Sequence, residues 1–137
     1  VGTAGLVRGQ HQDLAQTDCA ATIQEVEQVH RHKASPLFQA AVKVPAVLLA
    51  LPVPQTQALE GFASAIGLAF QITDDLLDAQ DPAEDAGKCT YATRLGPEEG
   101  RARVAGLVDE ATEALAPFGE RAQALRHLAD YVRSRST

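Results

Sequence analysis

The sequence predicts an all-α protein of about five or six helices, and three observations carry that expectation. Apolar residues recur at helical spacing, most clearly at Leu59, Phe62, Ala63, Ile66, Phe70 and Leu77. The helix formers Ala, Leu, Gln, Glu and Arg are plentiful, and β-branched residues never fall into an alternating strand pattern. Prolines and glycines punctuate the pattern where helices would start or break.

The elements follow in chain order. Residues 2–12 read as the end of a small-residue helix stopped near Asp13, and 14–21 as a polar loop. Thr22 suits an N-cap, with Glu25 completing a capping box, so a helix is expected from there to about Lys33. Pro36 fits the first turn of a second helix that carries Leu37, Phe38, Ala41 and Val42 on to Leu51, with Pro45 as a kink. LPVPQT is a turn. A long helix then runs from about Gln55 to Asp78, and Gly61 and Gly67 in it allow a neighbouring helix to approach closely. AQDPAEDAGK is a loop by its Pro, Gly and acids. Thr90 to Leu95 is a short helical turn. Pro97 opens a helix to about Ala116, with Glu98 and Glu99 at its positive end. PFG breaks the chain, and Glu120 to about Arg135 forms the last helix, with Arg133 and Arg135 at its negative end.

The bulk properties exclude several function classes. At 137 residues, the chain is one domain in size. A net charge of −6 does not suit a nucleic-acid surface. An acidic chain that handles an anionic substrate needs metal cations or a local group of Lys and Arg. The longest apolar stretch, 42–53, contains Lys43, Pro45 and Pro52 and is too short to span a bilayer. Cys19 and Cys89 lie far apart without metal-ligand spacing, as free thiols of a reducing cytosol do. VGTAGLVRGQ opens in mid-pattern, which predicts a fragment or processed chain whose upstream portion is missing.

Asp74, Asp75 and Asp78 stand at i, i+1 and i+4 of the long helix and so share a face, which Gln71 joins from one turn before. Three like charges at the negative end of a helix dipole are unfavourable unless a cation arrives. Mg²⁺, which prefers carboxylate oxygens, waters and substrate phosphates, is the expected cation. The plainer alternative is a solvated acidic helix end. The apolar lead-in GLAFQIT argues against a free surface. His11, His30, His32 and His127 show no ligand spacing and are expected at the surface.

Four ordered segments go further. GLAFQITDDLLD, residues 67–78, closely resembles the second aspartate-rich motif of the trans-isoprenyl diphosphate synthases, the polyprenyl synthetase family. GLVRGQHQDL (5–14) is similar to the family's Gly-Gln-x-x-Asp-Leu helix, HRHKASPLF (30–38) to its Lys-Thr-x-x-Leu segment, and GKCTYATRLG (87–96) to its Gly-Lys-x-Thr-Tyr element. The resemblance covers essentially all of residues 1–137 and implies the C-terminal half of an isoprenoid-synthase fold, an antiparallel helical bundle around a cavity. It implies prenyl transfer from an allylic diphosphate to isopentenyl diphosphate, assisted by Mg²⁺. By the same resemblance Asp74 and Asp78 are metal ligands, and Asp75 is a ligand or an acceptor behind them. Lys33 and Gln71 are the catalytic candidates, Lys33 on the allylic diphosphate and Gln71 on the same wall as the aspartates. Gln10, Asp13, Phe70 and Lys88 are expected to line the substrate cavity. For the full-length protein the family implies a cytoplasmic homodimer.

The pattern is departed from in three places. Ala34 stands where the family has Thr after the lysine, so a hydroxyl is absent. The stretch DAQDPAEDAGKCTY holds one Gly-Lys pair, Gly87-Lys88, where most members have two. The family's first aspartate-rich motif, which supplies the opposite metal-binding wall, is not found. The expectation is a chain inactive alone and prone to associate. A non-catalytic homologue or subunit paired with a partner synthase is the second reading, and a class I terpene cyclase, against which the Gly-Lys-x-Thr-Tyr element argues, is the third.

Overall fold

In the computed structural model of the chain, residues 22–79 and 90–135 are described. The expectations placed on residues 1–21 and 80–89, including Gln10, Asp13, Lys88 and both cysteines, lie outside them.

Every described element is helical. Helix α1 (Ile23–Lys33) starts with the expected capping box: Thr22 Oγ1 accepts from the Glu25 N–H, and Glu25 Oε2 accepts from the Thr22 N–H at 2.6 Å. Helix α2 (Ser35–Leu48) follows after a single residue, with Pro36 in its first turn, where a missing N–H costs nothing. It runs through Pro45 and ends three residues before the expected Leu51. The reason is local: Ala50 takes φ 49, and the Leu51 N–H donates back to the Ala46 carbonyl at 2.9 Å, closing the helix end.

Helix α3 (Val53–Asp78) is the spine of the bundle. It begins two residues earlier than expected because Pro54 is a first-turn residue rather than a member of the preceding turn. Thr90 caps the short α4 (Tyr91–Leu95), and α5 (Pro97–Ala114) follows at once. A 3₁₀ turn, Ala116–Ala122, occupies the expected PFG break. Gly119 reverses the chain there at φ 55, a conformation that favours glycine. Arg126 steadies the turn by donating to the Gly119 carbonyl at 2.6 Å, and α6 (Gln123–Arg135) begins three residues later than expected.

The core lies between α3 and α5. Phe62, Ile66, Leu68, Ala69, Ile72 and Leu76 of α3 meet Val104, Leu107, Val108 and Ala111 of α5. Ala129 and Val132 of α6 and Val26 of α1 close its flanks. At Gly67 the α2 backbone lies close: a Cβ there would stand 3.1 Å from the Ser35 Cα, so any larger residue would press the two helices apart by a few tenths of an ångström. No helix among the described residues is long and apolar enough to cross a membrane.

One surface expectation is overturned. His32 and His127 are exposed, but His30 is 4% exposed and belongs to the interior. It continues the apolar stripe Ile23, Val26, Val29 of α1, and that periodicity was the signal for its burial.

Candidate active site

The last turns of α3 carry the acidic stripe, and the edge of the core cuts through it. Asp78 is exposed and Asp74 half-buried, while Asp75 is 7% exposed and turned inward. The single face expected of the three carboxylates is thus divided: two look outward and one is built into the interior. The cause is rotation. Asp75 lies about 100° around the helix from Asp74, enough to bring it under α1 and α4.

Asp75 Oδ2 has two partners. His30 Nε2 of α1 stands 2.8 Å away, and the backbone N–H of Tyr91, the first residue of α4, donates to it at 3.2 Å. The His30 ring also stacks on Tyr91, with centroids 6.3 Å apart. Behind Tyr91 the contacts continue: its hydroxyl donates to Glu27, and Arg103 Nε of α5 donates to the same Glu27 Oε1, at 2.8 Å. Burial opposes charge on Glu27, but the hydrogen bonds from Arg103 and Tyr91, with the charges of Arg103 and Arg31, outweigh it and hold the carboxyl below its ordinary range. Burial, and then the Glu27 carboxylate, push the Tyr91 phenol up.

On the outward side, Asp74 Oδ1 has the Arg135 guanidinium of α6 at 3.8 Å. Arg135 also lies over the Phe70 ring, 5.6 Å from its centroid, and Phe70 packs against Phe38 of α2 at 5.8 Å. Gln71 is half-buried on the stripe between Phe70 and Asp74. Lys33 closes α1, and its backbone alone is described. The structure therefore brings the ends of α1, α3 and α6 and the start of α4 to one region. Of the expected site residues, Phe70, Gln71, Asp74, Asp75 and Asp78 lie on α3, and Lys33 lies one turn beyond His30.

The donor set fits a hard cation held jointly with a ligand. Asp74 and Asp78, four residues apart, offer carboxylate oxygens at the surface, and a positive group, Arg135, already sits against Asp74. Among the described residues no three His, Cys, Asp or Glu side chains converge into a closed metal cage. Two carboxylates completed by water and phosphate oxygens are what Mg²⁺ ordinarily takes.

Comparison with known proteins identifies the family. The family model described as polyprenyl synthetase matches residues 2–92. The chain is 35% identical over 154 residues to the farnesyl diphosphate synthase of Escherichia coli, covering 98% of this chain and 50% of that protein. It is 37% identical over 147 residues to a dimethylallyltranstransferase of Fischerella ambigua, covering 99% and 42%. Among solved structures, the apo FPP/GFPP synthase of Zymomonas mobilis is similar with a TM-score of 0.82 at 33% identity, over 93% of this chain and 45% of that one. The chain spans about half the length of the curated relatives it matches.

Proposed function

This chain belongs to the polyprenyl synthetase family, and from that premise we propose that it forms one wall of a trans-prenyltransferase site that holds a Mg²⁺-bound diphosphate. The observation that carries the reading is the pair Asp74 and Asp78, outward on the last turns of α3, on the helix that also packs Phe70 against Phe38. The names of the relatives, a farnesyl diphosphate synthase and a dimethylallyltranstransferase, support the substrate class.

In the reaction proposed, the allylic C–O bond breaks and its electron pair leaves with the diphosphate. The π electrons of isopentenyl diphosphate then form the new C–C bond, and a proton is lost. When bound, Mg²⁺ would neutralise the departing diphosphate as a Lewis acid. Asp74 and Asp78 would hold it. Asp75, engaged by His30 and Tyr91, acts behind them as the acceptor that keeps α3 in place. Lys33 would meet the allylic diphosphate as a compact cation. Gln71 and Phe70 would line the wall that keeps water from the developing carbocation. Gln10, Asp13 and Lys88 complete the candidate cavity by resemblance. By the same resemblance, a cytoplasmic homodimer is the proposed working form.

The test is calorimetric titration of the 137-residue chain with inorganic diphosphate, with and without Mg²⁺. Binding is expected only with Mg²⁺, weakened about tenfold or more by Asp74→Asn or Asp78→Asn. Binding indifferent to both substitutions would refute the reading. Prenyl transfer by this chain alone is expected to be absent, because one wall holds half of the clamp. Robust turnover would show the site to be complete.

A further inference from the structure

We propose that His30 is a positioning residue for this site, one that sets the diphosphate-binding end of α1 against the metal-binding end of α3 through Asp75. The role rests on the function proposed above but adds a residue to it. Asp75 Oδ2 is the point at which three separate segments meet: His30 from HRHK, Asp75 from DDLLD, and the Tyr91 N–H from GKCTY. The first two also carry candidate ligand groups one to three residues away: Lys33, and Asp74 with Asp78. Fixing this one oxygen sets the end of α1 against the end of α3, the two helix ends whose groups are proposed to act together on one anion. Tolerances of this kind are tight, since a displacement of about 1 Å at a positioned group can cost about a hundredfold.

The geometry favours positioning over simple space-filling. His30 is buried, yet Nδ1 has no partner among the described residues, so Nε2 alone ties the ring to a polar group. A ring present only to fill volume gains nothing from this. Burying imidazole with one nitrogen unsatisfied costs free energy that an apolar side chain would avoid. The neighbouring Glu27–Tyr91–Arg103 contacts already join α1, α4 and α5, so His30 is not needed merely to hold those helices together. What it adds is a direct link between α1 and α3 at the acidic end.

The test uses the 137-residue chain and the same Mg²⁺ and inorganic diphosphate titration, alongside thermal melts. His30→Phe fills the volume without a donor, His30→Gln keeps a donor at similar reach, and His30→Asn keeps polarity but is too short for Asp75. Phe and Asn are expected to weaken Mg²⁺–diphosphate binding about tenfold, and Gln to stay within about threefold of the original, whatever the order of their melting temperatures. Should His30→Phe fail to fold, the Asn and Gln pair decides. Phe binding as well as His, or Gln falling as far as Asn, would overturn the positioning role while leaving the function intact. No Mg²⁺-dependent binding by the unmodified chain would overturn both.

Discussion

At the scale of single residues, the site shows how one carboxylate can be worth more turned inward than outward. Asp75 is bracketed by Asp74 and Leu76, and its inward turn gives α3 two hydrogen bonds to other helices that a surface aspartate could not make. Glu27 has a similar role in the layer beneath, with a pH signature. Its folded pKa lies below the ordinary 4.5, so its contribution to stability is whole above about pH 4.5. As pH falls through the folded value, that contribution is lost, because the unfolded chain takes up the proton first. Tyr91 runs the other way: its pKa is raised from 10.0, so its share is whole below pH 10 and fades above it. Thermal melts of Glu27→Gln against the original chain are expected to show a lower melting temperature at pH 7. The gap should hold down to about pH 5 and narrow below pH 4.5. A gap that stays constant down to pH 3 would show that charge on Glu27 contributes nothing.

At the scale of elements, α3 is central because both of its long sides find a partner. Small residues let α2 approach on one side, and branched and aromatic residues meet α5 on the other. The two glycines of α3 separate these effects. A Cβ at Gly67 would press on the Ser35 backbone, so Gly67→Val is expected to cost about 1–3 kcal/mol in denaturant unfolding. A Cβ at Gly61 would meet only the Ala114 Cβ, at an ordinary 3.6 Å. Gly61→Ala is therefore expected to be neutral or to stabilise by up to about 1 kcal/mol, the helix-propensity difference. Equal effects at both sites would mean that the close α2–α3 crossing does not limit stability.

Across the whole molecule, the α2–α3 corner presents an apolar surface. Val44, Val47, Leu48, Leu49 and Val53 are all more than half exposed, with Leu48 at 80%. Contiguous apolar patches of this kind drive association. Sedimentation velocity is expected to show concentration-dependent association of the chain. Val47→Lys with Leu48→Glu should reduce it without loss of helical circular dichroism. Persistence of the association in the double variant would place the contact elsewhere.

The sequence by itself determined the all-α class, the Thr22 capping box, the helix starts at Pro36 and Pro97, and the acidic stripe at the end of α3, because each is set by residues within a turn or two of one another. The four motif segments identified the family in the same way, through local residue order. Only the tertiary structure decided which carboxylate faces inward and that His30 is its partner. A helical wheel places Asp74, Asp75 and Asp78 together, but burial depends on where α1 and α4 cross α3. That crossing is fixed by contacts between residues far apart in the chain: His30 with Asp75, Arg31 with Ser64, and the Tyr91 N–H with Asp75.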